Sequence, residues 1–261
     1  MIRAMRTAAS GMLAQQMRVD SIANNISNAN TSAFKRDHLS FRSLLYRQFR
    51  EPGAATGAGI SNPTGLQVGS GVEVGSSLKV HSQGDLQQTG NTLDIGINGE
   101  GFLRINMGNG EFRYTRDGSL RRNVDGDLTT TDGFYVEPRI NVPDGITGIS
   151  IGLDGTVGGT TENGTQATFG QILLYGFPNT AGLQAVGSNL FRETGSSGAS
   201  VQGTPGAEGT GLIVQGSLER SNVQVVEELI ELIQAQRNYE VNSRTIRVGD
   251  EMLQQVSNLL Q

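Results

Sequence analysis

His38 and His81 are the only imidazoles in this 261-residue chain, and it has no cysteine. That inventory removes thiolate nucleophiles, disulfides and cysteine-based metal sites, and two histidines without a His-x-x-x-His pair make a poor zinc centre. His38 stands in a basic cluster with Lys35, Arg36 and Arg42, and His81 precedes "SQGDL" at an expected strand end. Both read as packed or solvated side chains. Asp125 and Asp127 in "VDGDL" are suggestive of calcium, but the twelve-residue EF-hand spacing is missing and an Asp-Gly turn accounts for the stretch. Glu227 and Glu228 are adjacent on an expected helix, so they point in different directions and do not form a glycosidase pair. Gly69, Gly71 and Gly75 in "GSGVEVG" miss the dinucleotide-loop spacing by one position, and no helix pattern follows them. There is no Gly-x-Ser-x-Gly elbow and no phosphate-binding loop. Arg113, Arg116, Arg121 and Arg122 could meet an acidic surface, although solvated strand-edge charges are the simpler reading. These residues predict no catalytic centre, no cofactor and no metal site.

The densest run of polar side chains carries carboxamides instead. "SIANNISNANTSAFKRD", from Ser21 to Asp37, places asparagine at 24, 25, 28 and 30, on what reads as the last turns of a helix. Asparagine caps and ends helices. The net charge of −5 argues against a general nucleic-acid binder. No run of about 18 apolar residues is present, so membrane insertion is not expected. The basic start "MIRAMR" is followed by Gln15, Gln16, Arg18 and Asp20 rather than a continuous apolar region, so no cleavable secretory signal is expected.

Two elements frame the chain. Ile2, Ala9, Gln16 and Ala23 form one seven-residue series, and Met5, Met12, Val19 and Ile26 form its companion, the pattern of a coiled-coil seam. At the other end, Val225, Leu232, Tyr239, Ile246, Leu253 and Leu260 recur every seven residues. Ser221 and Gln224 fit a capping box, which predicts a helix from Asn222 onward. Its companion series runs from Leu229 through Gln236, Ser243 and Asp250 to Ser257, and a second apolar stripe lies at Val241, Val248, Met252, Val256 and Leu259. Such a helix has apolar surface on more than one side, more than one partner helix can cover. Between the ends, Gly is abundant, at 37 residues in the whole chain, and eight Asn-Gly or Asp-Gly pairs punctuate residues 98–164. They separate short strand-like runs such as "GFLRINM", "EFRYTR" and "GISIGL", which predicts antiparallel hairpins. "GSSGASVQGTPGAEGTG", residues 195–211, reads as a surface loop. The expected fold is α+β: long N- and C-terminal helices pairing as a coiled coil, with a central antiparallel β-rich domain. The expected boundaries are 1–30 for the first helix, 31–70 for a linker of a helical turn plus an extended hairpin-like stretch, 71–216 for the β domain and 217–261 for the last helix.

"ASGMLAQQMRVDSIANNISNANTSAFKRD" resembles the N-terminal signature of the bacterial flagellar axial proteins, the rod and hook family. The resemblance continues through "HSQGDLQQTGNTLDIGINGEGFLRI", "YTRDGSLRRNVDGDL" and "SNVQVVEELIELIQAQRNYEVNSRTIRVGDEMLQQ", covering nearly the whole chain. The "ANN" followed by "FKR" is its most specific part. "FKRDHLSFRSLLYRQFREPGA" with "PTGLQVGSGV" is most similar to the linker of subunits of the distal rod. A hook protein, usually longer and with an extra outer domain, or a proximal rod subunit is the alternative. The resemblance implies a structural subunit that is not an enzyme. It would self-assemble as a helical filament into the distal rod, enclose the export channel and transmit torque to the hook. It implies passage through the flagellar type III export apparatus without a cleaved signal, and a place in the basal body, in the rod spanning the periplasm to the outer membrane. The implied partners are further copies of the chain, proximal rod proteins, the hook protein, and the P ring and L ring. Ile2, Met5, Ala9, Met12, Val19, Ile26, Val225, Leu229, Leu232, Tyr239, Ile246, Leu253 and Leu260 would serve the coiled coil and assembly. Asn24, Asn25, Asn28 and Asn30 would line the channel or end the helix, and Tyr46, Arg50, Pro52, Pro63 and Leu66 would belong to a linker that sets rigidity.

Overall fold

The structure, a computed structural model, describes residues 2–52, 55–57, 60–61, 64–161, 164–207 and 209–259. It divides into two compact units. The first comprises Met1–Ser27, Asp37–Leu78 and Gln224–Gln261, and the second Asn28–Arg36 and Lys79–Val223.

In the first unit, helix α1 spans Ile2–Ser27 and helix α2 spans Val225–Leu259. No proline falls inside either span, and α2 is about 50 Å long at the α-helical rise. The start of α2 differs from the expected one. The Ser221 hydroxyl accepts the Val223 amide at 3.3 Å, a local turn, and the first helical bond runs from the Glu228 amide to the Gln224 carbonyl at 3.1 Å. Gln224, not Ser221, is therefore the half-in residue.

The two helices lie side by side and antiparallel. Early residues of α1 meet late residues of α2: Met5 faces Gly249, Gly11 faces Asn242, Arg18 pairs with Glu231 and Asn25 bonds Glu228. The expected coiled coil is not what forms. The buried residues are Ala8, Ala14, Ile22 and Asn25 on α1 and Glu228 and Ala235 on α2, and none of the described residues assigned to the seam is among them. Ile2, Ala9, Val225, Leu229 and Tyr239, all assigned to the seam, are exposed. Small and polar residues, Gly11, Ala14, Asn25, Glu228, Ala235 and Gly249, make much of the contact, in place of a regular apolar seam. A Cβ on Gly11 would sit 2.9 Å from the Asn242 Nδ2. Gly11→Leu is therefore expected to pry this contact open, seen as faster amide exchange in α1, whereas wild-type exchange would show that the helices do not depend on it.

The linker segment of this unit is an extended ribbon. Asp37–Ser43 pairs with Val72–Lys79, and Arg47–Arg50 pairs antiparallel with Leu66–Val68. Its side chains are largely solvent-facing: Leu45, Tyr46, Phe49 and Leu66 are all exposed. The Arg3 and Arg47 guanidinium groups sit 5.2 and 5.3 Å from the centre of the Phe49 ring.

The second unit is built on an open seven-stranded antiparallel sheet. In spatial order its strands are Leu120–Arg122, Leu128–Thr130, Tyr135–Glu137, Leu103–Asn106, Phe112–Thr115, Leu190–Arg192 and Gln184–Gly187. A three-stranded antiparallel sheet, Ile146–Ile151, Thr156–Thr161 and Gln166–Gln171, stands beside it in sequence. Alternation places Leu103 and Ile105 in the core and leaves Arg104 and Asn106 half-buried. Ile95, Ile97, Leu120, Leu128, Val136, Ile140, Val157, Ile172 and Leu174 belong to the same apolar cluster.

Of the eight Asn-Gly and Asp-Gly pairs, all but Asp117-Gly118 have the glycine at positive φ, as hairpin turns demand. Gly118 is glycine for another reason. A Cβ there would lie 1.9 Å from the Ile95 carbonyl oxygen, and the Gly118 carbonyl accepts the Ile95 amide at 3.0 Å. Backbone cannot yield as a side-chain tip can, so Gly118→Ala is expected to destabilise this unit by about 3 kcal/mol. Urea unfolding followed by β circular dichroism reads it, and an unchanged midpoint would refute the close-approach argument. The expected loop at 195–211 also contains order: Val201–Gly203 pairs antiparallel with Leu174–Gly176, and Ser197 is buried. Its small side chains carry no periodicity, which is why the strand does not stand out in the sequence.

Candidate assembly surface and a buried charge cluster

Segments far apart in sequence meet in the second unit around Glu219. Its carboxylate accepts the Lys35 Nζ at 2.7 Å, the Arg116 Nε at 2.7 Å and the Gly84 amide at 2.8 Å. Lys35 also donates to the Ser82 carbonyl at 2.7 Å, and Arg116 to the carbonyls of Gly101 and Gly99 at 3.0 and 2.9 Å. The side chains of Lys35 and Glu219 are fully buried, and that of Arg116 nearly so. Burial pushes the Lys35 ammonium below the usual lysine range, opposed by Glu219 and reinforced by Arg116. The cluster closes the unit by tying its N-terminal segment, its sheet and its last strand together. Arg116 thus departs from the solvated charge expected of it. Of its neighbours, Arg121, on Asp94 at 3.6 Å, is the solvated one, whereas the side chains of Arg113, on Glu111 at 2.7 Å, and Arg122, on Asp144, are largely covered. Asp127, one of the two aspartates considered as calcium ligands, is held by Arg139 and by Asn141 at 3.0 Å.

His81 packs against this cluster. Its ring stands edge-on to Phe102 and Phe191, with centroids 5.6 and 5.1 Å apart, and neither ring nitrogen has a hydrogen-bond partner among the described residues. Burial, with Lys35, Arg116 and Lys79 adding to it against Glu219, lowers its pKa to about 4. In the unfolded chain the ring takes up its proton near the ordinary 6.5. The stability this neutral ring contributes is therefore whole above about pH 6.5 and is lost as pH falls toward 4, by about 3 kcal/mol. His81→Phe is expected to flatten the stability profile across that window. A profile as steep as that of the unsubstituted chain would assign the acid sensitivity elsewhere.

The four asparagines fall on the last turn of α1 and the turn that follows it. Asn25 is buried: its Oδ1 accepts the Asp37 amide at 2.8 Å, and its Nδ2 donates to the Asp37 carbonyl at 3.0 Å and to Glu228 Oε2 at 3.2 Å. Asn24 is exposed and donates to Asp37 Oδ2 at 3.0 Å. Asn28 accepts from the Thr31 hydroxyl at 3.2 Å, and Asn30 is exposed.

Among the assembly residues, Met5, Met12, Val19, Ile26, Leu232, Ile246 and Leu253 are half-buried, Ile2, Ala9, Val225, Leu229 and Tyr239 are exposed, and Leu260 lies outside the described residues. Of the rigidity residues, Tyr46, Arg50, Pro52 and Leu66 are exposed on the ribbon, and Pro63 lies outside the described residues. The larger finding is the amount of apolar surface left on the helices. Leu13, Met17, Val226, Ile230, Ile233, Val241, Val248, Met252, Val256 and Leu259 are all exposed, from 41% for Val248 to 85% for Leu259. Isolated exposed apolar residues are ordinary, but stripes of this length mark a surface meant to be covered. Among the described residues, no helix is long and apolar enough to cross a membrane.

Three family profiles match the chain: "Flagella basal body rod protein" over residues 5–35, "Flagellar hook protein FlgE/F/G D1 domain" over 96–159, and "Flagellar basal body rod FlgEFG protein C-terminal" over 214–259. The flagellar basal-body rod protein FlgG of Caulobacter vibrioides is 44% identical over 260 residues, covering 99% of each chain. FlgG of Buchnera aphidicola from Acyrthosiphon pisum is 41% identical over 99% of this chain and 100% of its own, and FlgG of Bacillus subtilis is 39% identical over 99% of both. This chain belongs to the flagellar basal-body rod protein FlgG family. It is a structural subunit of the flagellar rod and hook class, not an enzyme, and serves motility as a component of the basal body. Lys35, Arg116 and Glu219 fall one in each of the three matched segments, and all three residues lie in the second unit.

Proposed function

We propose that the chain polymerises helically into the distal part of the rod, with α1 and α2 as the contact surface between copies. The observation that carries this reading is the apolar surface left on more than one side of α2, which a single partner helix could not cover. Contacts between unlike surfaces propagate into open helical filaments, which require such a distribution. The placement in the distal rod draws on the FlgG relatives, named as basal-body rod proteins and matched over their whole length. In this reading the filament encloses the export channel, carries torque to the hook, and meets proximal rod proteins below and the P and L rings around it. The four asparagines serve the end of α1, where Asn25 and Asn24 hold Asp37. Residues 31–70 act as the linker, and the ribbon around Tyr46, Arg50 and Leu66 stiffens the shaft. Deleting residues 46–65 is expected to soften isolated filaments, read as a shorter persistence length in electron micrographs. Unchanged bending would remove the ribbon from the account of stiffness. Immunogold labelling along purified basal bodies tests the distal placement, with label confined to the proximal rod or the hook as the contradicting result.

A further inference from the structure

The helix unit has unlike ends. Near the start of α1, a groove of ≈ 370 Å³ opens between the helices, lined by Ala4, Met5, Val241, Val248 and Met252 among others. Among the described residues, Arg3, Arg6, Arg244 and Arg247 lie at this end against Glu240, Asp250 and Glu251, which leaves it net basic. Near the start of α2 the surface is a ridge rather than a groove. Val226, Ile230 and Ile233 follow i, i+4, i+7 spacing on one helix face and are 70%, 59% and 50% exposed. The charges around the ridge are Asp20, Glu227 and Glu231, with Arg18 on Glu231 at 3.3 Å and Arg237 one turn beyond Ile233; with Glu228, buried against Asn25, this end is net acidic.

We infer that the groove of one copy receives the Val226–Ile230–Ile233 ridge of a second copy of this chain. The inference rests on the filament reading above and specifies its contact. A chain cannot fill its own groove, because Ile230 and Val248 stand about 27 Å apart along one straight helix. An apolar groove would meet an apolar helix face, and a net basic rim a net acidic one, which favours the head-to-tail arrangement over either like-to-like pairing. Groove and ridge are different surfaces on the same molecule, so each copy that binds presents the next site, and the contact propagates rather than closing as a dimer.

The absence of cysteine makes the test clean. Full-length Ile230→Cys and Met252→Cys variants, both at exposed positions, are polymerised separately and as an equal mixture, then oxidised. The expected result is a cross-linked dimer in the mixed filaments several-fold above either variant alone. Filaments that form normally, with the mixture cross-linking no better than its components, would overturn the groove-and-ridge contact while leaving filament formation intact. An unsubstituted chain that forms no filaments would overturn the filament reading itself. Should either cysteine variant fail to polymerise, a charge exchange decides: Arg244→Glu is expected to slow assembly several-fold and added Glu227→Arg to restore it. Failure of the second substitution to restore assembly would count against the contact.

Discussion

Replacing Glu219 by alanine is expected to lower the stability of the β unit by about 3–5 kcal/mol, the cost of stranding a buried charge without its partner. Two cations depend on this carboxylate at 2.7 Å each, and neither has water to fall back on. Glu219→Gln is expected to lose nearly as much, because a neutral carboxamide offers no compensating charge. Lys35→Met should cost less, since the Arg116–Glu219 pair survives and the removed ammonium leaves an apolar chain of similar length. Denaturant unfolding of the full chain, followed through the β signal, orders these variants. A Glu219→Ala midpoint within experimental error of the unsubstituted protein would show that the cluster is not what closes the unit.

The second large effect concerns assembly and should leave stability alone. Val226→Asp combined with Ile230→Asp puts two carboxylates on a ridge that already has acidic neighbours. Both positions are more than half exposed, so the monomer's unfolding free energy is expected to change by less than about 0.5 kcal/mol. Polymerisation, in contrast, should be abolished, because two desolvated charges would face an apolar groove in every contact. Light scattering reports assembly, and circular dichroism reports the monomer. Normal polymer yield from the double variant would remove this face of α2 from the interface.

The two variants probe features that were unequally legible in the sequence. Helices at both ends and hairpins between them could be read from spacing, because Asn-Gly and Asp-Gly pairs specify a backbone geometry directly. The helix-to-helix contact could not. The apolar series at Val225, Leu229 and Tyr239 was expected to face the partner helix of the same chain and is exposed instead. Apolar periodicity reports that a face is to be covered, not what covers it. The contact itself uses Gly11, Ala14, Ala235 and Gly249, whose small size gives no hydrophobic signal. The Glu219 cluster was equally hidden, since its partners lie 184 and 103 residues away and no local pattern links them. The motif "FKR" drew attention to the right lysine, but as part of a signature rather than as half of a buried ion pair. Asn25 lies between these cases: its place at the end of the helix was legible, while its bonds to Asp37 and Glu228 were not.

The central claim is that exposed apolar surface on the terminal helices drives copies of this chain into a filament. Sedimentation velocity of the full chain over a rising concentration series, with electron microscopy of the fastest species, tests it most directly. The predicted result is a concentration-dependent shift from monomer to filaments of uniform diameter. A single sharp monomer boundary up to the highest concentration would contradict it and leave the exposed stripes to a partner other than the chain itself.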